Sequence, residues 1–337
     1  MTISRRRFLA LGAGSALALG TGAEVWTELF RGDASPGDWR KGPPAPWGLQ
    51  EVYAAVRDGE VVVAGGLQSG ADSRMRFETL SRTAILDPAA EEWREGPELP
   101  APRHHLVLAT AAGVVYGFGG FVGEDLRTGF RFRDHVFALE DGGWSRRGRM
   151  PVRLGETVAA TVGDRIHLAT GSLHPEEGSG GGATGQHRVY DPAADAWEEA
   201  RPAPTPRSSA AGAAIDGRLY VVGGRRRDGG FQNLGALERY DPSEDRWESL
   251  RPLPEPSGGL AAASVGGVLC CFGGERLSRG DAGVIGRSWA YDPGTDEWHE
   301  LAPMRTPRHG LAAAEVGGRI HAIGGNTAPA VGAASSR

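Results

Sequence analysis

Six short polar stretches hold the side chains with most chemistry to offer: Gln50-Glu51, Arg103-His104-His105, Arg153 with Glu156, Arg207-Ser208-Ser209, Ser257, and Arg308-His309. A carboxylate and an imidazole that meet can divide general-base and general-acid work between them. Glu51, His104 and His309 are therefore candidate catalytic groups. Arginine offers forked donors that match a carboxylate, sulfate or phosphate. Arg103, Arg153, Arg207 and Arg308 are therefore candidate ligand-binding groups, with His105, Glu156, Ser208 and the loop residues Arg225 and Glu275 beside them. A competing reading is equally physical: such arginines can bond main-chain carbonyls of neighbouring loops and only brace them. Neighbouring side chains on a strand point to opposite faces, so His104 and His105 are not expected to share a metal. Neither a metal nor another cofactor is expected.

These stretches recur because the chain recurs. A glycine pair ends an apolar run at Gly65-Gly66, Gly119-Gly120, Gly223-Gly224, Gly273-Gly274 and Gly324-Gly325, with Gly171-Ser172 in the remaining slot. Tryptophans keep step at Trp39, Trp93, Trp144, Trp197, Trp247 and Trp298. Asp-Pro precedes four of them, at Asp87, Asp191, Asp241 and Asp292. The period is about 50 residues, too long for one hairpin and right for a unit of four strands. In the fourth unit, Ser208 to Ile215 reads as strand a, Arg218 to Val222 as strand b, Leu237 to Tyr240 as strand c, and Arg246 to Leu250 as strand d. The glycines allow a close backbone approach where a Cβ would not fit. Asp-Pro opens the c–d turn, and the aromatics supply area for packing one unit on the next.

On these markers the chain resembles the kelch-repeat proteins, similar to bacterial exported kelch proteins grouped with galactose oxidase and with sialic-acid mutarotases. The resemblance spans residues 39–325 and implies an all-β, six-bladed kelch β-propeller with four antiparallel strands per blade. It is specific for fold and nearly silent on function. Too little chain follows Gly325 to supply another strand c, so the last blade is expected to close with the N-terminal segment, Val25 to Phe30 and Trp39, beside Arg308 to Gly325. A copper-radical oxidase would need loop-side tyrosines and a cysteine. All six tyrosines and both cysteines read as framework residues, which leaves none for that site.

Strands alternate in direction, so the b–c loops and the starts of strand a share one face. The b–c loops are the long ones, and long loops on a rigid scaffold are where binding and catalysis sit. That face carries more arginine than carboxylate, which predicts a cationic mouth that attracts anions. Arg103, Arg207 and Arg308, at one repeat position, are expected to converge there.

Residues 1–23 read as a twin-arginine export signal: Ser4-Arg5-Arg6-Arg7-Phe8-Leu9, an apolar run, then Thr21-Gly22-Ala23 as a cleavage site. The expected division is residues 1–23 as signal, 24–325 as propeller and 326–337 as tail, with the product periplasmic or extracellular. Membrane attachment is expected only if the signal stays uncleaved. Losing the signal removes three of the 37 basic residues and none of the 42 acidic ones, which argues against nucleic acid as a partner. The two cysteines, Cys270 and Cys271, are adjacent on a strand, so no disulfide is expected. Three functions remain open: a monomeric binding module for an extracytoplasmic, anionic glycan or protein partner; a metal-free sugar mutarotase or epimerase, as the resemblance implies; or a structural scaffold.

Overall fold

The computed structural model describes residues 38–69, 77–123, 130–177, 182–227, 230–278 and 281–329. Five antiparallel sheets with four main strands each follow one another along the chain, the third carrying a short fifth strand, Leu154–Gly155, paired with its second main strand. They comprise Ala54–Arg57, Glu60–Ala64, Thr83–Asp87 and Glu92–Gly96; Val107–Ala111, Val114–Phe118, His135–Glu140 and Gly143–Arg149; Val158–Val162, Arg165–Leu173, Gly182–Asp191 and Ala196–Ala200; Ala211–Ile215, Arg218–Val222, Leu237–Asp241 and Arg246–Leu250; and Ala261–Val265, Val268–Phe272, Ser288–Asp292 and Glu297–Leu301. The last repeat is a two-stranded hairpin, His309–Val316 with Arg319–Asn326. Six four-stranded blades were expected; the described residues form five, plus this hairpin. Two further strands for the last repeat would have to come from elsewhere in the chain. The segment expected to supply one, Val25 to Phe30, lies outside the described residues, as do Arg5 and Arg6.

The glycine pairs sit where each blade meets the next. A Cβ on Gly65 would stand 2.3 Å from the Arg103 carbonyl oxygen, and one on Gly119 would stand 2.3 Å from that of Leu154. The main chain entering the following blade therefore occupies the space a side chain would need. In the third repeat the pair is Thr170-Gly171, both at positive φ, one residue earlier than the spacing predicts. Thr170 tolerates a φ of 61° there, so the repeat keeps its backbone without its first glycine.

The Asp-Pro turns are locked from two sides. Asp191 Oδ1 accepts from the backbone N–H of Ala193 at 3.0 Å and of Ala194 at 3.1 Å. The preceding Tyr190, Tyr240 and Tyr291 each donate a hydroxyl, at 2.7 Å, to Asp195, Asp245 and Asp296 at the far end of the turn. The b–c connections are themselves structured. Four begin as short hairpins, such as Leu67–Ser69 with Phe77–Thr79 and Arg225–Arg227 with Phe231–Asn233.

The core lies in the seams between neighbouring repeats. Val107, Phe118 and Val136 of the second blade pack on Leu154, Ile166 and Leu168 of the third. Burying each such aliphatic side chain stabilises by about 1.5–3 kcal/mol. The hairpin joins this pattern on both sides: Ala312, Ala314 and Ile323 pack with Val61 and Val63 of the first blade, and Leu311 packs with Phe272 of the fifth. Cys270 and Cys271 are free and buried, in separate seam clusters.

Candidate functional site

Each repeat makes the same contact where strand a begins. The residue after the glycine pair bridges to the start of that repeat's strand a: Gln50 with Leu67, His104 with Phe121, Gly155 with Ser172, Ser208 with Arg225, Gly258 with Glu275, and His309 with Asn326. The next residues along, Glu51, His105, Glu156, Ser209, Gly259 and Gly310, all turn left-handed, with φ between 52° and 67°. Five hydrogen bonds link them in series around the ring of repeats, leaving the step from His105 to Glu156 unbridged: His105 to Glu51, Ser209 to Glu156, Gly259 to Ser209, Gly310 to Gly259 and Glu51 to Gly310, each from N–H to carbonyl. Two repeats use glycine at this position. The other four hold polar side chains there, at a backbone cost of about 1–2 kcal/mol each. Strain of this kind collects at functional sites. Gly310 serves the site by leaving room, since a Cβ there would lie 2.8 Å from the Glu51 carboxylate.

The ring gathers a polar network. His105 Nε2 lies 2.9 Å from Glu51 Oε2 and 3.8 Å from Glu156 Oε1. Ser209 and Ser172 donate to the two oxygens of Glu156 at 2.8 and 2.9 Å. Arg225 donates to Ser209 Oγ at 3.1 Å and pairs with Glu275 at 2.5 Å. His309 Nε2 stands between Glu51 at 3.7 Å and Glu275 at 3.6 Å. The Glu51 and Glu156 side chains keep 15% and 20% of their exposure, whereas His309 and Glu275 keep 2%. The first two carboxylates thus front the mouth and the other two groups back them.

Burial alone would raise the pKa of Glu51, but the charge and hydrogen bond of His105, then His309 and Arg225, outweigh it and hold the carboxyl well below its ordinary range. Glu156 is likewise held down against burial, by His105 and Arg225. Burial would lower His105; the charge and hydrogen bond of Glu51, then Glu156, raise it instead. Burial and His105 keep His104 well below the ordinary imidazole value. His105 Nδ1 lies 2.7 Å from His104 Nδ1, so protonated His105 donates there and His104 carries its proton on Nε2. The mouth thus pairs an imidazolium with carboxylates.

Several sequence-based expectations change. His104 and His105 do not diverge, because the left-handed turn at His105 breaks strand alternation. His104 is fully buried against Phe121 and Phe130, which removes it as a solvent-facing acid–base group. Arg103, Arg207 and Arg308 share a repeat position, but they do not converge at the opening. Arg207 is buried and bonds Glu238 at 2.6 Å and two carbonyls. Arg308 donates to the Gly324 carbonyl, and Arg103 to that of Pro102. Arg153 pairs with Glu176, and Ser208 is buried in its bridge. Around the left-handed residues three carboxylates face Arg225 and the imidazoles, so this cluster does not itself carry an excess of arginine. Glu51, His105, Glu156, Arg225, Glu275 and His309 do come together. Ser172 and Tyr53 were not singled out, and Ser209 was named only within its polar stretch. Ser172, like Arg225 and Glu275, follows the glycine slot, and that position is the readable signal. Tyr53, read as framework, lies by these carboxylates; burial, then Glu156 and Glu51, raises its pKa. Among the described residues no three His, Cys, Asp or Glu side chains are grouped to hold a metal.

The kelch motif model matches residues 206–254. Kelch-like protein 35 of Homo sapiens is 34% identical over 79% of this chain and 41% of its own length. Kelch-like protein terF of Aspergillus terreus is 27% identical over 57% of this chain and 42% of its own. The chain thus spans about two fifths of the length of these curated relatives. The solved structure of YjhT matches with a TM-score of 0.72 over 88% of this chain and 95% of that one, at 16% identity, a likeness of fold. The repeat in the sequence, the blades it builds and these likenesses agree: the chain is a kelch-repeat β-propeller.

Proposed function

We propose that the chain is an extracytoplasmic binding module whose axial mouth takes a hydroxyl-rich glycan. The observation that carries this reading is the ring of left-handed residues that holds Glu51, His105 and Glu156 at the mouth despite its backbone cost. Two carboxylates accept from sugar hydroxyls, Arg225 donates to them, and His105 holds Glu51 in place. With three carboxylates in the network, a neutral ligand suits the mouth better than an anionic one. One observation favours a second reading, a sugar mutarotase or epimerase. His105 and Glu51, 2.9 Å apart, form an imidazolium–carboxylate pair able to give and take a proton. Nuclear magnetic resonance on a panel of reducing sugars, sialic acid included, separates the readings. Shifts or line broadening without faster anomer exchange mean binding, faster exchange means catalysis, and neither effect removes both.

The same reading makes the molecule six-bladed, closed by the N-terminal segment. Six bridges, six left-handed residues and the hairpin's packing on both neighbours support it. It also takes Arg5 and Arg6 as a twin-arginine export signal. Replacing both with Lys should leave the protein in the cytoplasm on cell fractionation, and unchanged export would refute the assignment.

A further inference from the structure

Between the first two blades, beside their b–c loops, lies a cavity of about 370 Å³ lined by Arg103, Arg131, Arg133, Arg146 and His135. Among the described residues no carboxylate lines it. The nearby Asp134 is held by Arg149 at 2.9 Å. Arg103 is 2% exposed. Its Nη1 meets the Pro102 carbonyl and its Nη2 meets His135 Nδ1, both at 2.6 Å, while its Nε has no partner. Burial, then Arg103 and Arg146, lower the His135 pKa to about 4, so it accepts as a neutral imidazole. Among the described residues this buried guanidinium is therefore hydrogen-bonded only to neutral acceptors, with three more guanidiniums around the same space.

The repeat shows that this is not how the fold must treat an arginine here. Arg207, at the equivalent position, is neutralised by Glu238, which lies opposite Val221 in its sheet. The counterpart of Glu238 is Phe137, opposite Gly117. The Arg103 guanidinium sits over that ring, 5.3 Å from its centre. Where one repeat supplies a counter-charge in direct contact, this one leaves the charge buried beside an opening, with no carboxylate bonded to it among the described residues and only the charge of nearby Asp134 to offset it. A buried charge is costly unless an opposite charge meets it.

We propose that this seam pocket is a second binding site, for a small molecule carrying a phosphate or sulfate group. Several guanidiniums around one space suit an oxyanion with several acceptor oxygens. The volume falls in the range of small-molecule pockets and leaves room for a sugar-sized body beyond the anion. The site is separate from the axial mouth, so either can fail alone. Calorimetric titration of the full chain with glucose phosphate and glucose sulfate, each against glucose, tests it. Both anions, or one of them, should show binding that excess glucose does not displace, and added sodium chloride should weaken that binding. The double variant Arg133→Ala, Arg146→Ala should lose at least about tenfold in affinity. Its melting temperature should hold or rise, because the removed cations repel their neighbours. Arg226→Ala, on the fourth blade's loop hairpin, should bind as the parent does. Anion binding that excess glucose displaces, no binding of either anion at millimolar concentration, or full affinity in the double variant would each overturn the proposal.

Discussion

At the scale of single residues, the arrangement around His105 has a measurable consequence. Its pKa is raised above the ordinary 6.5, and those of Glu51 and Glu156 are lowered below the ordinary 4.5. A raised imidazole contributes stability that is complete below the ordinary value and lost as pH rises through the folded one. A lowered carboxyl contributes stability present above its ordinary value and lost as pH falls. The network is therefore strongest between those two ordinary values and weakens on either side. Histidine resonances followed with pH should place His105 above 6.5 in the parent and lower in Glu51→Gln; an unchanged value in the variant contradicts the pairing. Arg207 carries a different expectation. Arg207→Ala strands Glu238 in the interior and should cost about 3–5 kcal/mol of stability in a denaturant titration, with ligand affinity at the mouth unchanged in the folded fraction. The sequence identified most members of the axial network but not the fate of these arginines. A guanidinium at the start of strand a looks the same whether it faces ligand or Glu238, and only sheet register decides. Nor could it show His104 meeting His105, since a left-handed φ at a non-glycine residue is imposed by the ring and has no local sequence signal.

At the scale of elements, the tryptophans make the most regular contact between repeats. Trp247, Trp298 and Trp39 donate their indole N–H to Arg201, Arg251 and Ala302 at 2.7, 2.8 and 2.9 Å. In each case the acceptor carbonyl just follows the outer strand of the preceding blade. Trp93 then donates to Pro43 at 3.2 Å, so the segment that carries Trp39 accepts from the first blade as well as donating to the fifth. Trp39 also meets Phe272 edge-on at 5.1 Å. Trp39→Ala should therefore destabilise by about 2–3 kcal/mol, somewhat below the cost of a fully buried tryptophan, and loosen the last hairpin. Hydrogen exchange should show faster amides in His309–Val316 and Arg319–Asn326; unchanged protection there would mean that Trp39 does not hold the ring closed. Strand order, turn chemistry and glycine positions were legible because each answers to a local rule. The loop hairpins were not, because their polar, glycine-rich stretches lack the alternation that marks a strand.

At the scale of the whole molecule, the ring concentrates its polar chemistry on one axis and in one seam, and packs apolar residues almost everywhere else. Charge counted along the sequence gave a cationic face. The fold redistributes it, since Arg82, Arg149, Arg153, Arg188, Arg239 and Arg287 each pair with a carboxylate. What remains among the described residues is a carboxylate-rich cluster where the a strands begin and an arginine-rich seam pocket, two regions of opposite character that a face-averaged count merges. The central claim is that the mouth is a ligand site and not merely a lock on the ring. The most direct test is glycan-array binding by the parent and by Glu156→Gln, with melting temperature measured on both. The account predicts a defined set of neutral glycans retained by the parent and at least about tenfold weaker retention by the variant, as expected for loss of one charge-assisted contact, with both proteins folded. Retention of those glycans unchanged in Glu156→Gln, or retention of none by the parent, would contradict it.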